Sequence, residues 1–270
     1  MPTHEHQEMH SHHQRDMAES FGADAERYDR ARPDYPGELV AAIVAATPGL
    51  DVVDVGIGTG IAARQFRAAG CRVLGVEPDP RMAELARRDG FPVEVSSFEE
   101  WDPAGRLFDA VIAAQAWHWI DPAAGAVKAG RALRPGGRLA VFWNMALPPP
   151  GLAEEFAAGL RSAVPGLPPA LTEASRDADP YGPTRAAAAE GIRAAAVFDE
   201  PEERRFDSER PYTRDEWLET LSTSGLHARL TPAQRAEVAA STAAAIDAVG
   251  GRFTARFVTV AVTAARAGAA

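Results

Sequence analysis

The sequence predicts an α/β protein built on a doubly wound, mostly parallel seven-stranded sheet, with helices on both faces and a partly helical insertion or cap. Three observations carry this expectation. Short apolar, β-branched runs alternate with helical stretches from about residue 52 to residue 143. The run over 108–114 is apolar on both faces, as a central parallel strand requires. A loop with glycine at alternate positions, Gly56, Gly58 and Gly60, joins the first strand to its helix.

The elements follow in order. Residues 17–28 read as helical. Arg32-Pro33-Asp34-Tyr35-Pro36-Gly37 then forbids a continuing helix, because proline removes a donor and restricts the residue before it. A second helix spans 37–46. Strands are expected at 52–55, 72–76, 92–96, 108–114 and 138–143, with helices at 61–69, 80–88 and 124–133. These five strands form one parallel sheet with right-handed crossovers. Pro148-Pro149-Pro150-Gly151 breaks the alternation, and 151–196 is rich in Ala and Pro with helical stretches. A strand over 196–206, helices over 213–222 and 231–249, and a strand over 256–264 complete the sheet; Thr213 serves as an N-cap and Thr231-Pro232 opens its helix. The organisation is therefore a disordered, histidine-rich tail over 1–17, a Rossmann-like core with N-terminal helices over 18–145, a helical insertion over 146–196, and completion of the sheet over 197–270.

Composition narrows the function. The 270 residues are 46% hydrophobic and 24% charged, ordinary for a globular chain that buries its own core. A net charge of −10, with Lys128 as the only lysine, argues against nucleic acid as a partner. No apolar run of membrane-spanning length and no signal-peptide pattern is present, so no membrane partner is expected and a cytoplasmic location is. Cys71 stands alone, which excludes an internal disulfide. Five of the seven histidines (His4, His6, His10, His12 and His13) lie in the tail without a carboxylate or cysteine framework, so no metal site is expected. The oligomeric state, monomer or homodimer, is left open.

The chemistry concentrates in Asp54-Val55-Gly56-Ile57-Gly58-Thr59-Gly60. A strand runs into a bend where only a bare backbone permits close ligand approach, and the following helix offers free N–H groups and a partial positive charge. A dinucleotide fingerprint would place its third small residue at Ile61, whereas here it comes early, at Gly60. Asp54 would repel a pyrophosphate but suits an ammonium group. Both departures favour an aminoacyl-nucleoside over NAD. Glu77, 23 residues after Asp54, is placed to accept from both ribose hydroxyls.

Asp54-x-Gly56-x-Gly58-x-Gly60 with Glu77-Pro78-Asp79, and the turn Leu133-Arg134-Pro135-Gly136-Gly137, resembles the class I S-adenosylmethionine-dependent methyltransferases. Tyr28 with Arg32-Pro33-x-Tyr35-Pro36, and Ala114-Gln115-Ala116-Trp117-His118-Trp119, are similar to the subgroup of trans-aconitate methyltransferase relatives. The likeness covers about 18–145 strongly and 195–265 loosely, and Ile57 departs from it where many relatives carry a small residue or cysteine.

The resemblance implies S-adenosyl-L-methionine as cofactor, S-adenosyl-L-homocysteine as product, and a small molecule with a carboxylate, hydroxyl or amine acceptor. It also implies residue roles. Gly56, Gly58 and Gly60 would line the methionine and ribose side, with Asp54 near the amino group and Glu77 on the ribose. Pro78 and Met82 would flank the adenine, Ser97 and Phe98 would sit at its edge, and Gln115 would face the methionine portion. Tyr28 and Arg32 would close over the cofactor. Met82 and Phe98 are alternatively core, and Arg32 alternatively a surface residue holding the proline loop. His118, between two tryptophans at the end of the fourth strand, is the candidate catalytic residue, either as a base or as a structural histidine. Trp143 and Trp217 either line the substrate pocket or pack the insertion. A non-methylating protein of the same fold and an NAD-dependent oxidoreductase are the competing readings.

Overall fold

A computed structural model describes residues 21–167, 179 and 181–268; the histidine-rich segment over 1–17 lies outside them. Seven strands form one sheet in the order β3-β2-β1-β4-β5-β7-β6. They are β1 (Asp51–Val55), β2 (Arg72–Glu77), β3 (Val93–Val95), β4 (Phe108–Ala114), β5 (Leu133–Leu147), β6 (Glu202–Thr213) and β7 (Arg252–Ala265). The first five are mutually parallel. β7 runs antiparallel to both β5 and β6, which makes the sheet mixed but mostly parallel.

The helices are α1 (Ala25–Ala31), α2 (Gly37–Ala45), α3 (Ile61–Ala68), α4 (Pro80–Arg88), α5 (Pro122–Ala132), α6 (Pro150–Ala163), α7 (Gly182–Ala194), α8 (Arg214–Ser222), α9 (Gly225–Arg229) and α10 (Pro232–Ala248). Side chains alternate across the strands, so each strand feeds two cores. Val53, Val55, Val111, Leu139 and Val141 meet Ala126 and Ala129 of α5 and Ile192 of α7 on one face. Val52, Ile112, Ala140 and Phe142 meet Leu39 and Ile43 of α2 and Phe66 of α3 on the other. The strand order reverses between β1 and β4, and open α/β sheets form their ligand crevice at the C-terminal strand ends beside such a switch point.

The fold corrects several expected boundaries. β5 extends through Leu147 and begins at Leu133, so Pro135-Gly136-Gly137 lies inside the strand as an irregularity rather than before it. Gly136 takes a φ of +76° there, and the register shifts between Phe108 and Ala110. The strand expected over 196–206 starts only at Glu202, because Ala196 turns left-handed (φ +53°) and Phe198 makes an isolated bridge to Arg266. β6 is an edge strand, which is why Pro211 fits within it.

The two described helices of the 146–196 segment pack on different partners. α6 packs on α10, approaching so closely at Gly159 that a Cβ there would lie 2.3 Å from Ser241 Oγ. α7 packs instead on α5, where a Cβ on Gly191 would meet the Pro122 carbonyl at 2.4 Å. The short helix α9 was not expected. Thr213 and Thr231 do form capping boxes, with Glu216 and Gln234 respectively.

Candidate active site

The crevice is floored by the loop after β1. Gly56, Gly58 and Gly60 all have positive φ, at +68°, +57° and +94°. Gly56 is also required sterically. A Cβ on Gly56 would lie 2.5 Å from Ala116 Cβ, whereas at Gly58 it would meet nothing within 4 Å, so that stretch of backbone is bare toward the crevice. Gly60 is the N-cap of α3. Ile57, the departure noted above, turns into the core, where its side chain occupies the space beside Gly75.

Asp54, the penultimate residue of β1, is 1% exposed, and neither carboxylate oxygen has a hydrogen-bond partner. Burial, and then the nearby Glu77 charge, push its carboxyl well above the usual range. Such a group is costly unless something pairs with it. Thr59 Oγ1 and Gln115 Oε1 are also buried without partners. Glu77, at the end of β2, accepts from the Gly58 N–H at 2.9 Å and from the Asp79 N–H at 3.0 Å. Its burial raises the carboxyl to about 7, against the pull of those two N–H donors. This pairing fixes the glycine loop on the Glu77 carboxylate and leaves Asp54 without a partner.

The adenine-side candidates divide. Pro78 is exposed, and Met82 of α4 is buried at 5%. Phe98 is turned into the core, stacked on Trp101 at 5.9 Å and tilted against Trp117 at 6.1 Å. Ser97, half-buried beside it, accepts from the Glu100 N–H.

The roof comes from the N-terminal helix and loop. Arg32 lies 4.8 Å over the Tyr28 ring and donates to the Thr223 carbonyl, while its buried Nε has no partner. Thr220 Oγ1 donates to the Ala31 carbonyl at 3.0 Å, and Arg30 pairs with Glu219 at 3.2 Å, so α1 is strapped to α8. Gln65 of α3 clamps Tyr35 by accepting its N–H at 2.9 Å and donating to its carbonyl at 2.7 Å. The buried Tyr35 hydroxyl is held well above its ordinary pKa by burial, then by Tyr28 and Asp54.

The far wall follows β4. Gln115 sits in the left-handed region at φ +57°, an uncommon conformation for a side chain of its size. Its Nε2 donates to the Asn144 carbonyl at 3.0 Å and to the Tyr181 hydroxyl at 3.3 Å. His118 lies on a 3-10 turn, Trp117–Trp119. Trp143 Nε1 donates to His118 Nδ1 at 3.3 Å, and burial lowers the imidazole to about 4. The ring is therefore neutral at physiological pH and carries its proton on Nε2.

The structure thus brings Tyr28, Arg32, Asp54, the three glycines, Glu77, Gln115 and His118 around one crevice. It sets Trp217 elsewhere, packed among Phe156, Tyr212 and Phe253. Tyr35, Gln65, Asn144 and Tyr181 were not assigned from sequence. Only Tyr35 had a signal, its place in the proline motif; Tyr181 reaches Gln115 from 66 residues away. The donor set fits a ligand bringing a cation to Asp54 and hydroxyls to Glu77. Among the described residues no metal-binding cluster occurs, and no helix is long and apolar enough to cross a membrane.

The strand order and the glycine loop at the switch point define a Rossmann-like fold. Residues 53–141 match the methyltransferase domain family. An uncharacterized methyltransferase of Mycobacterium tuberculosis is 40% identical over 133 residues, 48% of this chain and 54% of the relative. The ubiquinone biosynthesis O-methyltransferase of Methylocella silvestris is 33% identical over 96 residues, 33% of this chain and 38% of the relative. The chain spans about half the length of the Mycobacterium relative it matches. A structure from Anaeromyxobacter dehalogenans assigned to the type II methyltransferases superposes with a TM-score of 0.60 at 24% identity, covering 87% of this chain and 97% of that one.

Proposed function

We propose that this chain is an S-adenosylmethionine-dependent methyltransferase acting on a small molecule in the cytoplasm. The observation that carries the reading is Asp54, a buried carboxylate with two unpartnered oxygens at the mouth of a bare glycine loop. The methyltransferase-domain match over 53–141, which includes Asp54, the glycines, Glu77 and His118, supports it. Bound there, S-adenosylmethionine supplies a sulfonium-activated methyl group for direct displacement, and S-adenosylhomocysteine leaves.

Asp54 pairs with the ligand's ammonium group, and Glu77 accepts from its ribose hydroxyls while keeping Gly58 in place. Pro78, Met82, Ser97 and Phe98 border the base, with Met82 and Phe98 acting as packed supports. Tyr28 and Arg32 close the roof and exclude water, and Gln115 borders the methionine end. His118 positions the acceptor: its basic nitrogen is already occupied by Trp143, which favours donation from Nε2 over general-base work. The acceptor is a carboxylate, hydroxyl or amine. Two relatives are named for methylation at oxygen, the Methylocella enzyme and a malonyl-acyl-carrier-protein O-methyltransferase of Hahella chejuensis, and this supports an oxygen acceptor. The Tyr28–Pro36 and Ala114–Trp119 motifs support the trans-aconitate methyltransferase subgroup.

Calorimetry with S-adenosylmethionine and, separately, NAD tests this. Micromolar binding of the former alone, about −8 kcal/mol, at least tenfold weaker in Asp54→Ala and Glu77→Ala, is the expected result. Binding of NAD in its place would overturn the reading. Binding without methyl transfer to any acceptor would point to a non-methylating member of the fold.

A further inference from the structure

One corner of the crevice is not accounted for by cofactor binding. His118, Trp119, Trp143 and Tyr181 form a continuous aromatic wall: His118 lies 4.5 Å from Trp119 and 6.3 Å from Tyr181, and Tyr181 stacks on Trp143 at 6.4 Å (ring centroids). Trp143 is buried, while the other three rings are half-buried and reach the crevice. The polar atoms of this wall are ordered in one sense. The Asn144 carbonyl fixes which end of Gln115 is the amide nitrogen, so Gln115 donates to Tyr181 and the tyrosine hydrogen is free to point outward. Trp143 likewise donates to His118 Nδ1, which leaves the proton on Nε2. Two hydrogen-bond donors therefore stand on adjacent aromatic rings.

Resting on the methyltransferase reading, we propose that this wall is the acceptor site, that it takes a planar aromatic compound bearing an acidic hydroxyl, and that Tyr181 and His118 hold that hydroxyl as its anion. Flat rings spaced about 6 Å apart suit an aromatic ligand in stacked or edge contact. Paired donors stabilise an oxygen anion and repel an ammonium group. The charged groups around the corner are Asp54, which pairs with the cofactor, and Arg32 on the roof, with Tyr28 and Tyr35 as the neighbouring hydroxyls. Asp54 is committed to the cofactor and the His118 Nδ1 lone pair to Trp143, so neither serves as the acceptor's base. The hydroxyl proton accordingly leaves to solvent before transfer. The anionic oxygen then forms the new C–O bond as the C–S bond breaks, and the electron pair goes to sulfur.

The full chain saturated with S-adenosylhomocysteine, titrated with 4-nitrophenol, reads this directly, because the bound anion is visible by absorbance. The ionisation midpoint of the bound phenol is expected to fall by about one pH unit, tenfold tighter binding of the anion than of the neutral phenol. Tyr181→Phe should remove much of that shift without changing the affinity for S-adenosylhomocysteine. An unchanged or raised midpoint, an equal shift in Tyr181→Phe, absent binding of the phenol, or tighter binding of benzylamine would each overturn the proposal. Failure of S-adenosylhomocysteine to bind would sink the cofactor reading instead, and the phenol titration would still be read on the protein alone.

Discussion

Substituting Glu77 by glutamine removes a charge that the fold holds under strain. Burial raises this carboxyl from 4.5 to about 7, with the Gly58 and Asp79 N–H groups acting against that rise. A raised native pKa means that the folded protein binds its proton more tightly than the unfolded chain. The contribution to stability is therefore fully present below the unfolded value and is lost as pH rises toward the folded one. The full span corresponds to roughly 3 kcal/mol, of which about 2 kcal/mol falls between pH 5.5 and 8. Glutamine cannot ionise, but it sets an amide N–H₂ against one of the two backbone donors and so loses a hydrogen bond at every pH. The informative quantity is thus the difference between variant and wild type followed against pH. Denaturation in urea at pH 5.5 and pH 8 should show the balance moving toward Glu77→Gln by about 2 kcal/mol, or about 4–8 °C in Tm for a chain of this size. A difference that stays flat with pH, or moves toward the wild type, would refute the claim that Glu77 is buried against its charge. The same variant should bind S-adenosylmethionine more weakly, a trade of function for stability.

Two further outcomes follow from the same geometry. Burial and Glu77 hold the Asp54 carboxyl well above its usual range, so pairing with a cationic ligand lowers it and expels a proton. Calorimetry in buffers of different ionisation enthalpy should show that release, with affinity rising as pH rises; heats independent of buffer would rule it out. Gly56→Ala places a Cβ 2.5 Å from Ala116 in a left-handed backbone. It should destabilise by roughly 3 kcal/mol, and a loss below about 1 kcal/mol in chemical denaturation would show that the 115–117 turn yields easily.

The parts of the molecule legible in the sequence are those in which a few neighbouring residues decide the conformation. The glycine loop, the strands feeding it and the caps at Thr213 and Thr231 are of this kind. Asp54 and Glu77 were legible because each sits at the end of a strand, where direction and position follow from the chain itself. The parts that escaped depend on partners far away in sequence. β5 and β7 are long because they pair with each other over ten residue pairs, which no local pattern in 133–147 announces. Gln115 adopts its left-handed turn against Phe142, and Tyr181 finds Gln115 across the fold. Phe98 shows the reverse limit, since an aromatic after a strand reads alike whether it borders a ligand or, as here, packs against two tryptophans.

The strapping of α1 to α8 has a consequence for how this molecule can vary. The floor of the crevice is contained in residues 53–141, a continuous stretch. Arg32 and Thr223 of its roof and Tyr181 of its far corner lie outside that stretch, drawn from three separate regions of the chain. A change in any of these regions can reshape what enters the crevice while Asp54, Glu77 and the glycines stay where they are. The contact between Arg32 and the Thr223 carbonyl also ties the loop after α1 to the C-terminal end of α8. Part of the crevice wall can in this sense change while the carboxylates and glycines of its floor are kept.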